Sequence, residues 1–236
     1  MGLLTNGNRD LRRDRIWTWS LPAWVTPLED GRTINTCPSA GECAPLCYAR
    51  KGTYRFSNVK AAHVRNLLLV EDHLQEWEDQ MALEVQAKKF KPASFVRIHD
   101  AGDFYKREYL EAWLRIIRSA PHITFYAYTK EIALFKEIVE PDAPANFSWI
   151  YSYGGRQDSL IEEHDRQCDV FPSDAKLEEA GFVDQADSDL LAITGSPKVG
   201  IVVNNHAGAV AAMKGMSMKE LQRSRHSKLT ERGQHD

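Results

Sequence analysis

The chain has 236 residues, of which 43% are hydrophobic, and its formal net charge at pH 7 is −3. This composition is typical of a globular protein with a buried core, and the negative charge argues against a protein that coats nucleic acid. No stretch approaches the roughly eighteen apolar residues of a membrane span, and residues 1–15 lack the apolar core of a secretory signal. We therefore expect a cytoplasmic protein that does not enter a membrane.

Short runs rich in β-branched and aromatic residues alternate with helical patterns along most of the chain. The runs predict strands at 17–23, 94–99, 123–128, 147–153, 189–194 and 199–204. Apolar residues at helical spacing predict helices at about 58–89, 110–117 and 132–139. Strands that alternate with helices pair in parallel, because each return needs a crossover helix. The strands are apolar on both faces, so we expect an α/β fold with a partial or complete parallel (TIM-like) barrel; an open doubly wound sheet is the alternative.

No repeat and no Gly/Pro/Ser-rich linker divides the chain, so residues 1–213 are predicted to form one domain. The stretch 157–188 is charged and weakly periodic and receives no assignment. Residues 214–236 carry six Lys/Arg against three acids. This basic tail is interpreted either as a solvated chain end or as an arm that contacts DNA or a host protein.

Three of the four cysteines, Cys37, Cys43 and Cys47, lie within eleven residues of the loop 36–52. In a reducing compartment such spacing is more typical of metal ligands than of disulfides. Three thiolates from one irregular loop favour a [4Fe-4S] cluster, with a zinc ion or no metal as the alternatives. Cys168 is the remaining thiol and the predicted fourth ligand; otherwise one iron is open to a cofactor or substrate.

Polar residues follow the predicted strands, where ligands bind in parallel α/β folds. We predict a cofactor-binding site there, formed by Arg97, His99, Asp100, Gly102, Asp103 and Lys130. Four of these, the charged ones, are expected to form one polar network beside the cluster. His99 is either a ligand or base or a hydrogen-bonded structural residue, and Lys130 is either a buried amine or the partner of Asp103. His206, after the last strand, has the same two interpretations as His99.

The spacing C-x5-C-x3-C from Cys37 to Cys47 resembles the cysteine loop of radical S-adenosylmethionine enzymes, which is C-x3-C-x2-C. The resemblance covers about the first 130 residues and implies a barrel and S-adenosylmethionine as a second cofactor. It also places the segment from Asp100 to Asp103 where that superfamily holds the amino group of the cofactor.

A second resemblance covers most of residues 20–150. The stretches S-L-P-A (20–23), G-x-Y-x-F-x-N-V (52–59), R-I-H-D-A-G-D-F (97–104) and F-Y-A-Y-T-K (125–130), together with the cysteine loop, are similar to a family of phage-encoded proteins known by gene-product number. This family has no assigned reaction. The resemblance implies a phage protein in the cytoplasm of the host cell.

Nucleotide-binding, zinc-protease and serine-hydrolase motifs are missing from the sequence, which disfavours those activities. The remaining hypothesis is an iron-sulfur protein that acts as a redox or radical enzyme on a small molecule or a nucleic-acid component. The alternative is a non-enzymatic protein, stabilised by metal, that binds DNA or a host protein.

Overall fold

A computed structural model describes residues 2–90, 93–203 and 207–232 of the chain. The fold is α/β, with a mostly parallel sheet of eight strands and a separate two-stranded hairpin. The strands in chain order are β1 Thr5–Asn6, β2 Ile16–Trp19, β3 Val25–Pro27, β4 Thr33–Asn35, β5 Ser94–Ile98, β6 Ile123–Thr129, β7 Phe147–Ser152, β8 Gln167–Phe171, β9 Val183–Asp184 and β10 Lys198–Val202. The order in the sheet is β1-β2-β5-β6-β7-β8-β10-β9, and β3 pairs with β4.

The helices differ widely in length, from four to sixteen residues. They are α1 Arg9–Arg13, α2 Cys43–Leu46, α3 Ser57–Asp72, α4 Leu74–Val85, α5 Arg107–Ser119, α6 Ile132–Ile138, α7 Asp174–Glu179, α8 Leu191–Thr194, α9 Ala207–Met213 and α10 Met218–Arg232. Short 3-10 turns lie at Tyr48–Arg50, Gly52–Arg55, Glu140–Asp142 and Asp158–Leu160.

The chain forms two compact units. The first contains residues 1–38 and 47–149, and the second contains residues 39–46 and 150–236. The cysteine loop is therefore divided, because Cys37 and Cys47 belong to the first unit and Cys43 belongs to the second. Cys168, outside the loop, also belongs to the second unit.

An aromatic cluster forms part of the core of the first unit. Trp77 of α4 packs against Trp19, Tyr109 and Trp113, with ring centroids 5.7, 5.1 and 5.2 Å away. All four side chains are almost fully buried. Because α5 presents its apolar residues at helical spacing, one face of the helix supplies two members of this cluster, and the predicted helix around 110–117 is confirmed.

Most predicted strands are observed within a few residues of their expected bounds. One prediction is wrong: residues 189–194 contain the helix α8, in which Thr194 and Gly195 donate backbone hydrogen bonds to Leu190 and Leu191. Periodicity does not separate a short apolar run in a helix from one in a strand. The predicted long helix at 58–89 is two helices, α3 and α4, which meet at His73 with a φ of −142°.

Strand β8 lies in the stretch that the sequence left unassigned. It pairs in parallel with β10, and Gln167 and Cys168 lie opposite Tyr151 and Ser152 of β7. The basic tail forms α10, and its Met218 and Leu221 are buried. Residues Asn204, Asn205 and His206 at the end of the last predicted strand lie outside the described residues, as do 233–236 of the tail.

Within the described ranges, no helix combines the length and the apolar composition needed to cross a bilayer. The observed pairings establish a mostly parallel α/β sheet. Closure of that sheet into a barrel stays a prediction.

Candidate functional site

Loops at the carboxyl ends of β2 and β5 are tied together in the first unit. The Leu21 amide donates to the Ala101 carbonyl at 2.9 Å, and the Asp103 amide donates to the Thr36 carbonyl at 2.9 Å. The Thr36 hydroxyl donates to the Pro22 carbonyl. These bonds bring the beginning of the cysteine loop against the segment after β5, so that Cys37 and Asp103 are neighbours, as predicted from their positions after strands.

The close approach of these loops requires glycine at position 102. Gly102 has a φ of +86°, and a Cβ atom there would lie 2.7 Å from the Cβ of Leu21. Any side chain would therefore be strained and would clash with the neighbouring loop. Backbone packing therefore explains why residue 102 is glycine, and its role in a cofactor site stays a prediction.

Cys37 is partly buried and receives a hydrogen bond at its Sγ from the Trp24 amide, at 3.4 Å. Burial is the main cause that raises the pKa of the Cys37 thiol to about 12; the nearby Asp103 and Cys47 also raise it, and its hydrogen bonds lower it. Without a cation the thiol is therefore protonated at neutral pH. A bound metal reverses this preference, because it stabilises the thiolate.

Asp103 is a buried carboxylate with three protein donors. Its oxygens accept hydrogen bonds from the Thr129 hydroxyl at 2.7 Å, the Phe104 amide at 2.8 Å and the Lys130 amide at 2.9 Å. Burial raises the pKa of Asp103, while these donors and the charge of Lys130 lower it. This arrangement fixes Asp103 between the ends of β5 and β6, where it holds the loops in place.

Arg97 and Asp100 form a second polar group, together with two tyrosines that sequence analysis did not identify as site residues. Arg97 Nη1 lies 3.6 Å from Asp100 Oδ1, and its Nη2 lies 3.3 Å from the Tyr48 hydroxyl. The Tyr48 hydroxyl donates to the Asp100 carbonyl, and the Tyr54 hydroxyl donates to the Asp100 carboxylate. The side chains of Arg97 and Asp100 keep 16% and 25% of their surface exposed, so both are accessible to a ligand.

Aromatic rings surround this polar group. The Arg97 guanidinium lies 5.1 Å from the ring centroid of Tyr128, and Tyr54 packs near His63 at 6.1 Å. Burial raises the pKa of Tyr54 above its usual value, and burial lowers the pKa of His63, although the charge of Asp100 opposes the latter shift. Tyr48 and Tyr54 lie in the C-Y-A and G-x-Y stretches of the sequence, which was the available signal for them.

Two contacts are observed among the four charged residues that were expected to form one network. Arg97 contacts Asp100, and the Lys130 backbone contacts Asp103. The contact observed between these two residues is made by the Lys130 amide, and the ion pair of the Lys130 side chain with Asp103 stays a prediction. The four residues do lie at neighbouring strand ends of one unit.

His99 is a core residue. Its Nε2 lies 2.8 Å from the Tyr109 hydroxyl, which also accepts a hydrogen bond at 2.7 Å from Trp19 Nε1. Its Nδ1 is buried and has no hydrogen-bond partner among the described residues. The backbone of His99 has a φ of +66°, which is strained for most residues other than glycine and asparagine. This geometry favours the structural interpretation of His99 over that of an accessible base.

The burial of His99 predicts an acid-dependent loss of stability. Burial lowers the pKa of His99 to about 3, whereas an unfolded histidine titrates near its ordinary value. Below about pH 6.5 the unfolded chain binds a proton at His99 that the folded chain does not bind. The contribution of neutral His99 to the free energy of unfolding is therefore complete above about pH 6.5 and is lost as the pH falls. We expect His99→Asn, which tolerates positive φ, to remove about 2 kcal/mol of the pH-dependent change in unfolding free energy between pH 6.5 and 5. Urea titrations of both proteins measure this, and equal pH slopes contradict it.

In the second unit, residues 39–46 bind the segment that follows β7. The amides of Gly41 and Cys43 both donate to the Gly154 carbonyl at 3.1 Å, and the Arg156 amide donates to the Ser39 carbonyl at 2.7 Å. Gly154 has a φ of +95°, and a Cβ atom there would lie 3.3 Å from that of Cys43. Cys43 also packs on an apolar cluster formed by Met213, Met218 and Leu221.

Cys168 is 3% exposed and lies within β8. Strand alternation places it on the same face as Val170, which packs on the same apolar cluster as Cys43. Although Cys168 comes from a polar stretch of sequence, it is therefore not a surface thiol. All four cysteines are free of disulfides.

The predicted cluster ligands do not form a ready metal site. Within residues 2–90, 93–203 and 207–232, no three His, Cys, Asp or Glu side chains are grouped to hold an ion. The iron-sulfur cluster therefore remains a prediction.

Comparisons with known proteins identify phage relatives. Residues 2–228 match the family model described as gene product 88. The chain is 34% identical over 104 residues to the gene 88 protein of Mycobacterium phage L5, a match that covers 40% of this chain and 43% of that protein. It is 35% identical over 105 residues to the gene 88 protein of Mycobacterium phage D29, covering 40% and 42%. The chain thus matches less than half the length of either relative.

No solved structure matches the chain. The family model, in contrast, covers nearly all of the sequence, including the cysteine loop and both groups of charged residues. The phage family predicted from the sequence is confirmed: this chain belongs to the gene product 88 family.

Proposed function

We propose that this chain is an iron-sulfur protein in which Cys37, Cys43 and Cys47 bind a [4Fe-4S] cluster and the adjacent strand ends bind a small molecule or nucleic-acid component. The observation that carries the proposal is the environment of Cys37. Its Sγ already receives an amide hydrogen bond, and Cys47 is near enough to raise its pKa. Amide donors of this kind stabilise thiolates that ligate iron and tune the potential of a cluster.

The residues of the first unit fit two different roles in this proposal. When bound, a cluster supplies electron transfer or, with an open iron, a coordination site for a cofactor. Asp103 and Gly102 hold the cysteine loop against the end of β5, and His99 supports them from the core. We therefore regard these three as positioning residues, and Arg97 and Asp100 as the groups that contact a ligand.

The pair of Arg97 and Asp100 suits a ligand that carries both a carboxylate and an ammonium group. A guanidinium binds a carboxylate through paired hydrogen bonds, and a carboxylate binds an ammonium group. The amino-acid moiety of S-adenosylmethionine has both groups, so this pair supports that cofactor. We further propose that the sheet closes into a parallel barrel and that the protein carries out the redox or radical chemistry predicted from the sequence.

The second candidate is a protein in which the metal has only a structural role. It is favoured by the position of Cys43, which packs on an apolar cluster and donates its backbone amide to the Gly154 carbonyl of the same unit. A structural metal would stabilise this loop without an open coordination site.

Analysis of the full chain purified without oxygen tests the proposal. We expect about four iron and four sulfide ions per chain, as the composition of a [4Fe-4S] cluster requires, with broad visible absorption. S-adenosylmethionine is expected to change the spectrum of the reduced cluster if one iron is open. Stoichiometric zinc without iron, or no metal after reconstitution with iron and sulfide, contradicts the proposal.

A further inference from the structure

The segment from Tyr48 to Lys60 is an exposed surface that combines cations with aromatic rings. Between Cys43 and Val70 the sequence has five Lys/Arg and no acid, although the whole chain carries a net charge of −3. Arg50, Lys51, Arg55 and Lys60 are all exposed. We call the residues Tyr48, Arg50, Lys51, Arg55, Phe56 and Lys60 the basic aromatic surface.

Three cations of this surface differ from the ion-paired cations elsewhere in the described part of the chain. Elsewhere, cations such as Arg32, Lys106 and Arg115 lie 2.6–2.7 Å from carboxylates. Lys51, Arg55 and Lys60, in contrast, make no ion pair with any residue that the structure describes. Their charge is therefore not neutralised locally, and it attracts anions to this side of the first unit.

Two aromatic rings lie exposed among these cations. Tyr48 is 54% exposed and Phe56 is 59% exposed, in a chain whose other aromatic rings are largely packed in the core. Exposed rings carry a cost in water and are common where they stack on a ligand. Phe56 directly precedes α3, whose first turn contains no acid.

The surface is anchored to the fold. The Tyr48 hydroxyl bonds to the Asp100 carbonyl, and Tyr54, in the 3-10 turn Gly52–Arg55, bonds to the Asp100 carboxylate. Arg50 lies over the ring of Trp24, with 4.7 Å between its guanidinium carbon and the ring centroid. These contacts hold the exposed groups in place, so a ligand does not need to order a free loop.

We propose that the basic aromatic surface binds single-stranded nucleic acid. Cations that track phosphates and rings that stack on bases are the two elements of sequence-tolerant binding to single strands. An acidic peptide or an anionic lipid surface would use the cations but gives no stacking partner for Phe56. The inference does not depend on the cluster, since none of these side chains is a predicted metal ligand.

Fluorescence anisotropy with the full chain tests this inference, using labelled dT20 and rU20 as the two single strands and a 20-base-pair duplex as competitor. We expect both dT20 and rU20 to bind more tightly than the duplex. The ratio of the affinities for dT20 and rU20 then shows whether the surface prefers DNA or RNA. Binding to neither single strand at low salt overturns the inference.

Three matched variants separate stacking from charge. Phe56→Leu keeps apolar volume but removes the ring, and we expect roughly tenfold weaker binding, because stacking of one base contributes about 1–3 kcal/mol. Phe56→Tyr is expected to retain affinity. Leu83→Ala, at a side chain that is 74% exposed elsewhere in the first unit, is the control for loss of exposed apolar surface.

The triple change Lys51→Ala, Arg55→Ala and Lys60→Ala tests the cations. For single strands each phosphate contact contributes about 0.7 to the slope of log affinity against log salt, so the slope should decrease by about 2. The control triple Arg12→Ala, Arg15→Ala and Lys88→Ala removes equal charge at exposed positions outside both the surface and the basic tail. Equal salt slopes for the two triple variants overturn the inference. It is also overturned if Phe56→Leu binds single strands as tightly as the unchanged protein and still binds vesicles of anionic phospholipid.

Discussion

Replacing Asp103 by alanine is expected to lower the free energy of unfolding by about 3–5 kcal/mol. The carboxylate is buried and accepts hydrogen bonds from the Thr129 hydroxyl and the amides of Phe104 and Lys130. Alanine leaves all three donors without their acceptor, and each unsatisfied buried group costs about 1–3 kcal/mol. Urea denaturation of the purified variants measures the loss.

Two further variants make this result specific to the hydrogen bonds. Asp103→Asn retains one acceptor oxygen but places an amide NH2 against a protein donor, so we expect an intermediate loss. Asp100→Ala removes a carboxylate that is partly exposed, and its effect on stability should be below about 1 kcal/mol. If Asp103→Ala is no more destabilising than Asp100→Ala, Asp103 does not hold the loops as described.

Serine at Cys37, Cys43 or Cys47 is expected to remove most of the iron and sulfide from the anaerobically purified protein. Each change removes a coordination bond that a neutral hydroxyl does not replace, and a loop organised by the metal loses stability with it. Iron and sulfide analysis, with thermal unfolding of the same samples, measures both effects. Ala49→Ser introduces a hydroxyl in the same loop and should leave the iron content unchanged.

Cys168→Ser distinguishes the two classes of function. We expect the cluster spectrum to change, because Cys168 is the predicted fourth ligand and lies on the face of β8 that packs with Cys43's apolar neighbours. An unchanged spectrum that responds to S-adenosylmethionine means an open iron and contradicts Cys168 as a ligand. Retention of full iron by Cys43→Ser, with loss in Cys37→Ser and Cys47→Ser, contradicts a three-cysteine site.

The parts of the fold that were predicted correctly are those with strong local patterns. Strands β5 and β6 and helix α5 are rich in apolar residues, most of which are buried. Strand β8 was missed because its buried polar residues resemble a loop. Its Gln167 is bonded to the Tyr153 hydroxyl at 3.0 Å and its Asp169 to the Lys219 amide at 3.2 Å, and these partners are distant in sequence.

In the candidate site, too, residues with a local sequence signal could be predicted and residues brought in by tertiary contacts could not. Arg97 and Asp100 could be predicted because they lie beside a strand end, three residues apart. Tyr48 and Tyr54 reach Asp100 from 52 and 46 residues earlier in the chain, so no local pattern predicts that they contact it. The division of the cysteine loop between two units is equally a product of tertiary contacts.

Residues 39–46 of the cysteine loop can dock only late in the synthesis of the chain. Residues 39–46 obtain their hydrogen bonds from Gly154, Arg156 and Gln222, all of which are translated more than a hundred residues later. At about 5–20 residues per second, the ribosome needs roughly 5–20 s after Cys43 to add Gly154, and longer to add Gln222. During this interval the segment that contains Cys43 is not yet bound to its partners, and its thiol is open to solvent and to any metal donor present. Final docking of the segment is therefore a late event, completed only when α10 has left the ribosome.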